Sequence, residues 1–194
     1  MVHKALLLAL PLLLLPTSPT GRTGAITVHG DVTATHLAIV DAVIERYAEA
    51  GLALPAVTVV FSGDPRDCGG HIGQHKGTGR GSSVRICESP IDHPVQFRHA
   101  VAHELAHAWT ATHLTGDDRR RFLEHRSLDS WSGTDVEWRQ RGMEHAAEII
   151  TWAVLEHPIL LVRIPDKSCT RLWAGYIELT ARPPAPDPRT CTIS

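Results

Sequence analysis

The sequence predicts an α+β fold, a single mostly helical domain that carries a small β-sheet. Three observations predict it. Apolar residues recur at three- and four-residue spacing through several segments of helical length. Short runs rich in β-branched residues stand between turn formers. The chain of 194 residues is long enough for one well-buried core, and it holds no Pro/Gly/Ser tract long enough to link two.

The N-terminal stretch, MVHKALLLALPLLLLPTSPTGRTGA, places one lysine before an apolar run from Ala5 to Leu15 and then turns small and polar. That is the layout of a secretory signal peptide over residues 1–25, cleaved between Thr20 and Ala25. The run is too short to span a bilayer comfortably and Pro11 interrupts it, so no stable membrane anchor is expected and residues 26–194 form the exported domain.

Within that domain, AITVH is a candidate strand, and residues 31–52 repeat apolar side chains at helical spacing up to a terminal glycine. AVTVVFS (56–62) and SSVRICE (82–88) read as strands, and the turn-rich segment between them reads as a surface loop. Ser89, Asp92 and Pro94 mark a helix start, and that helix runs from Pro94 to His113. GDDRRRFLEHR is a charged helix, Asp135 to Glu156 a second long one stopped by Pro158, and Ser168–Ala181 a last one before a proline-rich tail.

Charge excludes two classes of partner. With 19 basic against 21 acidic side chains, the chain has no basic field of the kind that nucleic acid or an anionic membrane requires. Export makes the four cysteines a disulfide framework. Of the three connectivities, the local pairs Cys68–Cys87 and Cys169–Cys191 are the simplest, each closing a loop of roughly 20 residues and contributing about 3 kcal/mol in a chain-entropy picture. A competing reading takes Cys68, His71, His75 and Cys87 as zinc ligands.

Chemistry concentrates in FRHAVAHELAHAWTATHL, residues 97–114. His103-Glu104-Leu105-Ala106-His107 is His-Glu-x-x-His on a helix, which sets two imidazoles one turn apart on nearly one face. Such a pair suits one Zn2+, and Glu104, a step round the helix, points beside the ion, where it can take a proton from a water held there. A catalytic zinc takes three protein ligands, so the motif requires a third. Glu144 and Glu148 stand four apart on one face of an otherwise apolar helix, and buried carboxylates need a cation or donors.

His-Glu-x-x-His followed on a later helix by Glu-x-x-x-Glu resembles the gluzincin branch of the zincin metallopeptidases. EHAAE is most similar to the Glu-x-Ala-Ala-Asp pattern of bacterial membrane peptidases in that branch. More loosely, the chain resembles small secreted actinobacterial proteins described as metallopeptidases. The resemblance covers two motifs and the helices bearing them. It implies a zincin-like domain with an active-site helix, Glu144 as third zinc ligand, and Glu148 as an outer acid accepting the far N–H of His103 or His107. Glu148 stands where the family pattern has the shorter Asp, and the reverse assignment, Glu148 as ligand, stays open.

The remaining candidates read more blandly. His99 is expected to be a satisfied core histidine, His113, His125 and His157 surface or helix-end residues, and His145 a weak competitor pointing away from Glu144. His71 and His75 either overhang the site or are solvated loop residues. Tyr47, Tyr176, His125 and His71 are chemically eligible to stabilise an oxyanion. The five tryptophans are expected to pack between helices, with Trp131 or Trp138 as an alternative lining of the cleft. The expected function is a secreted, extracellular zinc metallopeptidase acting on a peptide or protein substrate. The alternatives are a catalytically silent zinc-binding secreted protein with a binding or inhibitory role, and a chance motif in a structural helical domain.

Overall fold

A computed structural model describes residues 24–30, 32–78, 81–87, 93–133, 135–156 and 158–185. The signal-peptide reading, Cys191, His157, Ser89 and Asp92 lie outside the described residues. The fold is α+β as expected. Strand β1 (Ile26–Gly30) leads through helix α1 (Ala34–Glu49) to β2 (Val57–Phe61), and β1 and β2 pair in parallel. The Thr33 hydroxyl accepts from the His36 backbone N–H, while the His36 ring accepts from the Thr33 N–H, so α1 starts on a reciprocal cap. It ends where Gly51 takes φ 69°, a conformation that favours glycine. Val40, Val43 and Tyr47 form its buried stripe.

Strands β3 (Gly73–Thr78) and β4 (Gly81–Ile86) complete a four-stranded sheet in the order β1-β2-β4-β3. β4 runs parallel to β2, and β3 runs antiparallel to β4 along the edge. Alternation sends Val57, Val59, Phe61, Val84 and Ile86 to the core. β3 corrects the sequence reading, which placed residues 63–81 in a loop. Gly73, Gly77 and polar side chains conceal the strand, and its pairing with β4 makes it one. A short 3-10 turn, Pro65–Cys68, precedes it. Cys68 and Cys87 form the expected disulfide, with Cα atoms 6.2 Å apart, which removes both sulfurs as metal ligands. The pairing expected for Cys169 involves Cys191 and is outside the described residues.

Helices α2 (Pro94–His113) and α3 (Gly116–Arg126) follow as expected. α4 (Gly142–Leu155) starts seven residues later than Asp135. The intervening chain is pinned instead: the Gly142 and Met143 N–H groups donate to the Ser130 and Trp131 carbonyls, and Arg141 Nε donates to the Val136 carbonyl. A 3-10 turn at Trp138–Gln140 results, and it swings Trp138 toward α2. α5 (Cys169–Thr180) is capped by the Ser168 hydroxyl. α2 and α4 are buried almost all round and pack most extensively on each other, forming the centre of the molecule. Among the described residues, no helix is long and apolar enough to cross a membrane.

Candidate metal centre

Where α2 and α4 face each other, polar residues replace apolar ones. His99, His103 and His107 lie one turn apart along α2, opposite Glu144 and Glu148, one turn apart on α4. The pairs run His107 with Glu144, His103 with both acids and His99 with Glu148, so the helices are antiparallel. All five are buried, Glu148 completely.

Three atoms converge. His103 Nε2 lies 3.0 Å from Glu144 Oε2, His107 Nε2 3.2 Å from that same oxygen, and the two Nε2 atoms are 3.1 Å apart. Donors set tetrahedrally about 2 Å from a small metal ion stand about 3.3 Å apart, so this triangle has the size of a metal-ligand set. The electrostatics agree. Burial disfavours a charged His103, yet Glu144 and Glu148 outweigh it and raise its pKa to about 9. Burial would push Glu144 up, but His103 and His107 hold it far below the usual carboxylate range. Two acids among imidazoles therefore demand a positive charge, which a proton on His103 supplies and a metal ion would replace. His103, His107 and Glu144 can hold a metal ion.

Glu148 occupies a different environment. Its Oε1 accepts from Arg163 Nε at 2.9 Å and Nη2 at 2.8 Å and lies 3.0 Å from His99 Nε2, while its Oε2 accepts from the Arg163 backbone N–H at 2.9 Å. Burial opposes ionisation here too, but His103 and His99 keep the carboxyl well below its ordinary value. His99, His103 and Glu148 form a second group with metal-like spacing. The Arg163 guanidinium already serves that group as its cation, so the first triangle is the better metal site. Glu148 Oε1 sits 3.1 Å from His103 Nδ1, close enough for electrostatic support; among the described residues, neither His103 Nδ1 nor His107 Nδ1 has a partner with hydrogen-bond geometry.

Glu104 is 7% exposed, and among the described residues no hydrogen bond holds its carboxylate. Burial raises its pKa against the opposing pull of His107 and His103. Aromatic rings wall the site. His75, on β3, lies parallel to His107 with ring centroids 6.0 Å apart. Its Nε2 is 3.2 Å from the Ser82 hydroxyl oxygen, and burial together with His107 lowers its pKa to about 4, so the ring is neutral. Trp138 stacks on His103 at 6.0 Å, and the Arg163 guanidinium lies 5.1 Å from the Trp138 ring centre.

Other sequence candidates lie elsewhere. Tyr47 donates to the Ala102 carbonyl at 2.7 Å and, like its neighbour Tyr176, is buried in the core. His145 Nε2 donates to the Arg139 carbonyl, and its Nδ1 accepts from Arg126. His71 and His113 are exposed, and Trp131 packs on Phe122 beneath Arg119. Three participants escaped the sequence reading in part or whole. His99 is a satisfied core histidine, but its partner is Glu148, which makes it part of this network. Trp138, for which the sequence leaves a place at the site as an alternative to packing between helices, stacks on His103. Arg163 carries no signal of its own, since it reaches Glu148 from an irregular segment.

Fold and site together define a protein with a candidate metal centre of two histidines and a glutamate between two buried helices. Compared with family models, curated proteins and solved structures, the chain matches none.

Proposed function

We propose that the protein is a secreted zinc metallopeptidase that hydrolyses peptide bonds in peptide or protein substrates. The observation that carries this reading is the convergence of His103 Nε2, His107 Nε2 and Glu144 Oε2 beside a buried Glu104 whose carboxylate has no hydrogen bond among the described residues. One zinc ion held by those three atoms would supply Lewis-acid activation of a water and of the scissile carbonyl. Glu104 takes the proton of the attacking water on a carboxylate oxygen and passes it to the departing amide nitrogen. Glu148, fixed by Arg163, holds negative charge beside His103 and keeps that ring turned toward Glu144. β3 is the edge strand beside the site, so its outer backbone edge suits an extended peptide paired strand to strand. The apolar N-terminal run and the Cys68–Cys87 disulfide support export.

Purified mature protein is expected to contain about one zinc per chain. Glu104→Gln is expected to keep that zinc while hydrolysis of a fluorescently labelled unfolded protein falls at least ~100-fold. Elemental analysis and a cleavage assay read both arms. Absence of zinc at neutral pH sinks the proposal. Full zinc occupancy without cleavage across unfolded proteins and peptide libraries would instead favour a binding or inhibitory role.

A further inference from the structure

A glutamate side chain turns about three single bonds, so a base that must meet a reacting water needs something to fix it. At Glu104 no hydrogen bond does so among the described residues, and the surrounding surface is what remains. One wall of that surface is the backbone of β3 at Gly73. A Cβ built on Gly73 would lie 2.7 Å from Glu104 Oε1, 2.8 Å from its Cγ and 3.1 Å from its Cδ, so acid and strand occupy the same layer. The positions of β3 that face α2 are Gly73, His75 and Gly77, two residues apart. His75 stacks on His107, and a Cβ on Gly77 would meet the His75 ring at 2.9 Å. At Gly77 the α2 atom met is the Ala111 Cβ at 3.8 Å, an ordinary contact, so only at Gly73 does the strand press on a side chain of the helix. Gly73 does not have a positive φ, so its backbone conformation admits alanine, and what an alanine methyl would have to displace is the Glu104 side chain.

We infer that Gly73 is a positioning residue for Glu104: its missing side chain creates the slot that confines the Glu104 carboxylate beside the metal centre. The functional half of this inference rests on the peptidase reading, whereas the contact itself does not.

The experiment is a double-mutant cycle with two readouts. In the wild-type background, Gly73→Ala is expected to lower the melting temperature by roughly 5 °C through overpacking. In a Glu104→Ala background, the same change is expected to move it by less than about 1 °C or to raise it slightly, because the new methyl enters vacated space. Should G73A alone fail to fold, folding of G73A/E104A carries the same meaning. On the catalytic side, G73A is expected to lower kcat about 100-fold with KM and zinc content unchanged, since displacement of a reacting group by about 1 Å costs that much. A thermal cost that persists without the Glu104 side chain, or a wild-type kcat in G73A, overturns the inference. If the wild type cleaves nothing, the peptidase reading fails, and the thermal cycle still decides whether Gly73 confines Glu104.

Discussion

Glu144→Ala is expected to strip the centre of zinc, while Glu148→Ala is expected to leave it bound more weakly. The two acids stand one turn apart on α4 and are chemically identical, so only their surroundings separate them. Glu144 Oε2 meets both Nε2 atoms at 3.0 and 3.2 Å, in the place of a third ligand. Glu148 faces His103 Nδ1 and has its oxygens taken by Arg163 and His99. Loss of an outer carboxylate typically weakens metal binding about 10–100-fold, so E148A should fall in that range and E144A well beyond about 100-fold. On the proposed peptidase reading, hydrolysis by E144A should disappear with the metal. Competition titration with a chromophoric chelator measures both affinities. If E148A loses zinc and E144A retains it, the ligand assignment reverses.

E144A also changes the metal-free protein in a direction that can be read. Glu144 and Glu148 together raise His103 to about 9, against the cost of burial. Removing Glu144 takes away one of those partners and leaves the desolvation, so the His103 pKa should fall. Imidazole resonances followed through a pH titration would report it.

Much of the site was legible because helix periodicity is rigid. A His-Glu-x-x-His spacing has one geometric meaning on a helix, and α2 forms over the span its apolar pattern and Pro94 indicate. The same logic extends to Glu144 and Glu148, and one further step would have added His99, four residues before His103 and opposite Glu148. What stayed hidden depends on tertiary contact. β3 is a strand because β4 pairs with it, although its own residues read as turn formers. The segment before α4 is held by hydrogen bonds to residues 130, 131 and 136, so helix-like spacing from Asp135 does not become helix until Gly142. Gly73 looked like one more loop glycine, and only its distance to Glu104 gives it significance.

Arg163→Met should be the most destabilising single change near the centre. Glu148 is fully buried, and among the described residues three of its four hydrogen-bonding contacts come from Arg163, two through the guanidinium and one through the backbone N–H. Methionine preserves the backbone bond and much of the packing on Trp138 but removes the positive charge, leaving a buried carboxylate with His99 and His103 as its nearest partners. Removing one partner of a buried ion pair costs about 3–5 kcal/mol. Arg163's side chain is 39% exposed, so solvent screens part of the pair and the lower end, about 3 kcal/mol, applies. For a chain of this size, that lowers the melting temperature by roughly 6–12 °C. Arg163→Lys restores charge without the two-pronged contact and should fall between. Zinc binding should weaken about 10-fold in R163M, because the acid beside His103 is less firmly held. Thermal melts of metal-free and zinc-loaded protein separate the two effects. A melting temperature within about 2 °C of wild type in the metal-free R163M protein would mean that the pair does not support the network.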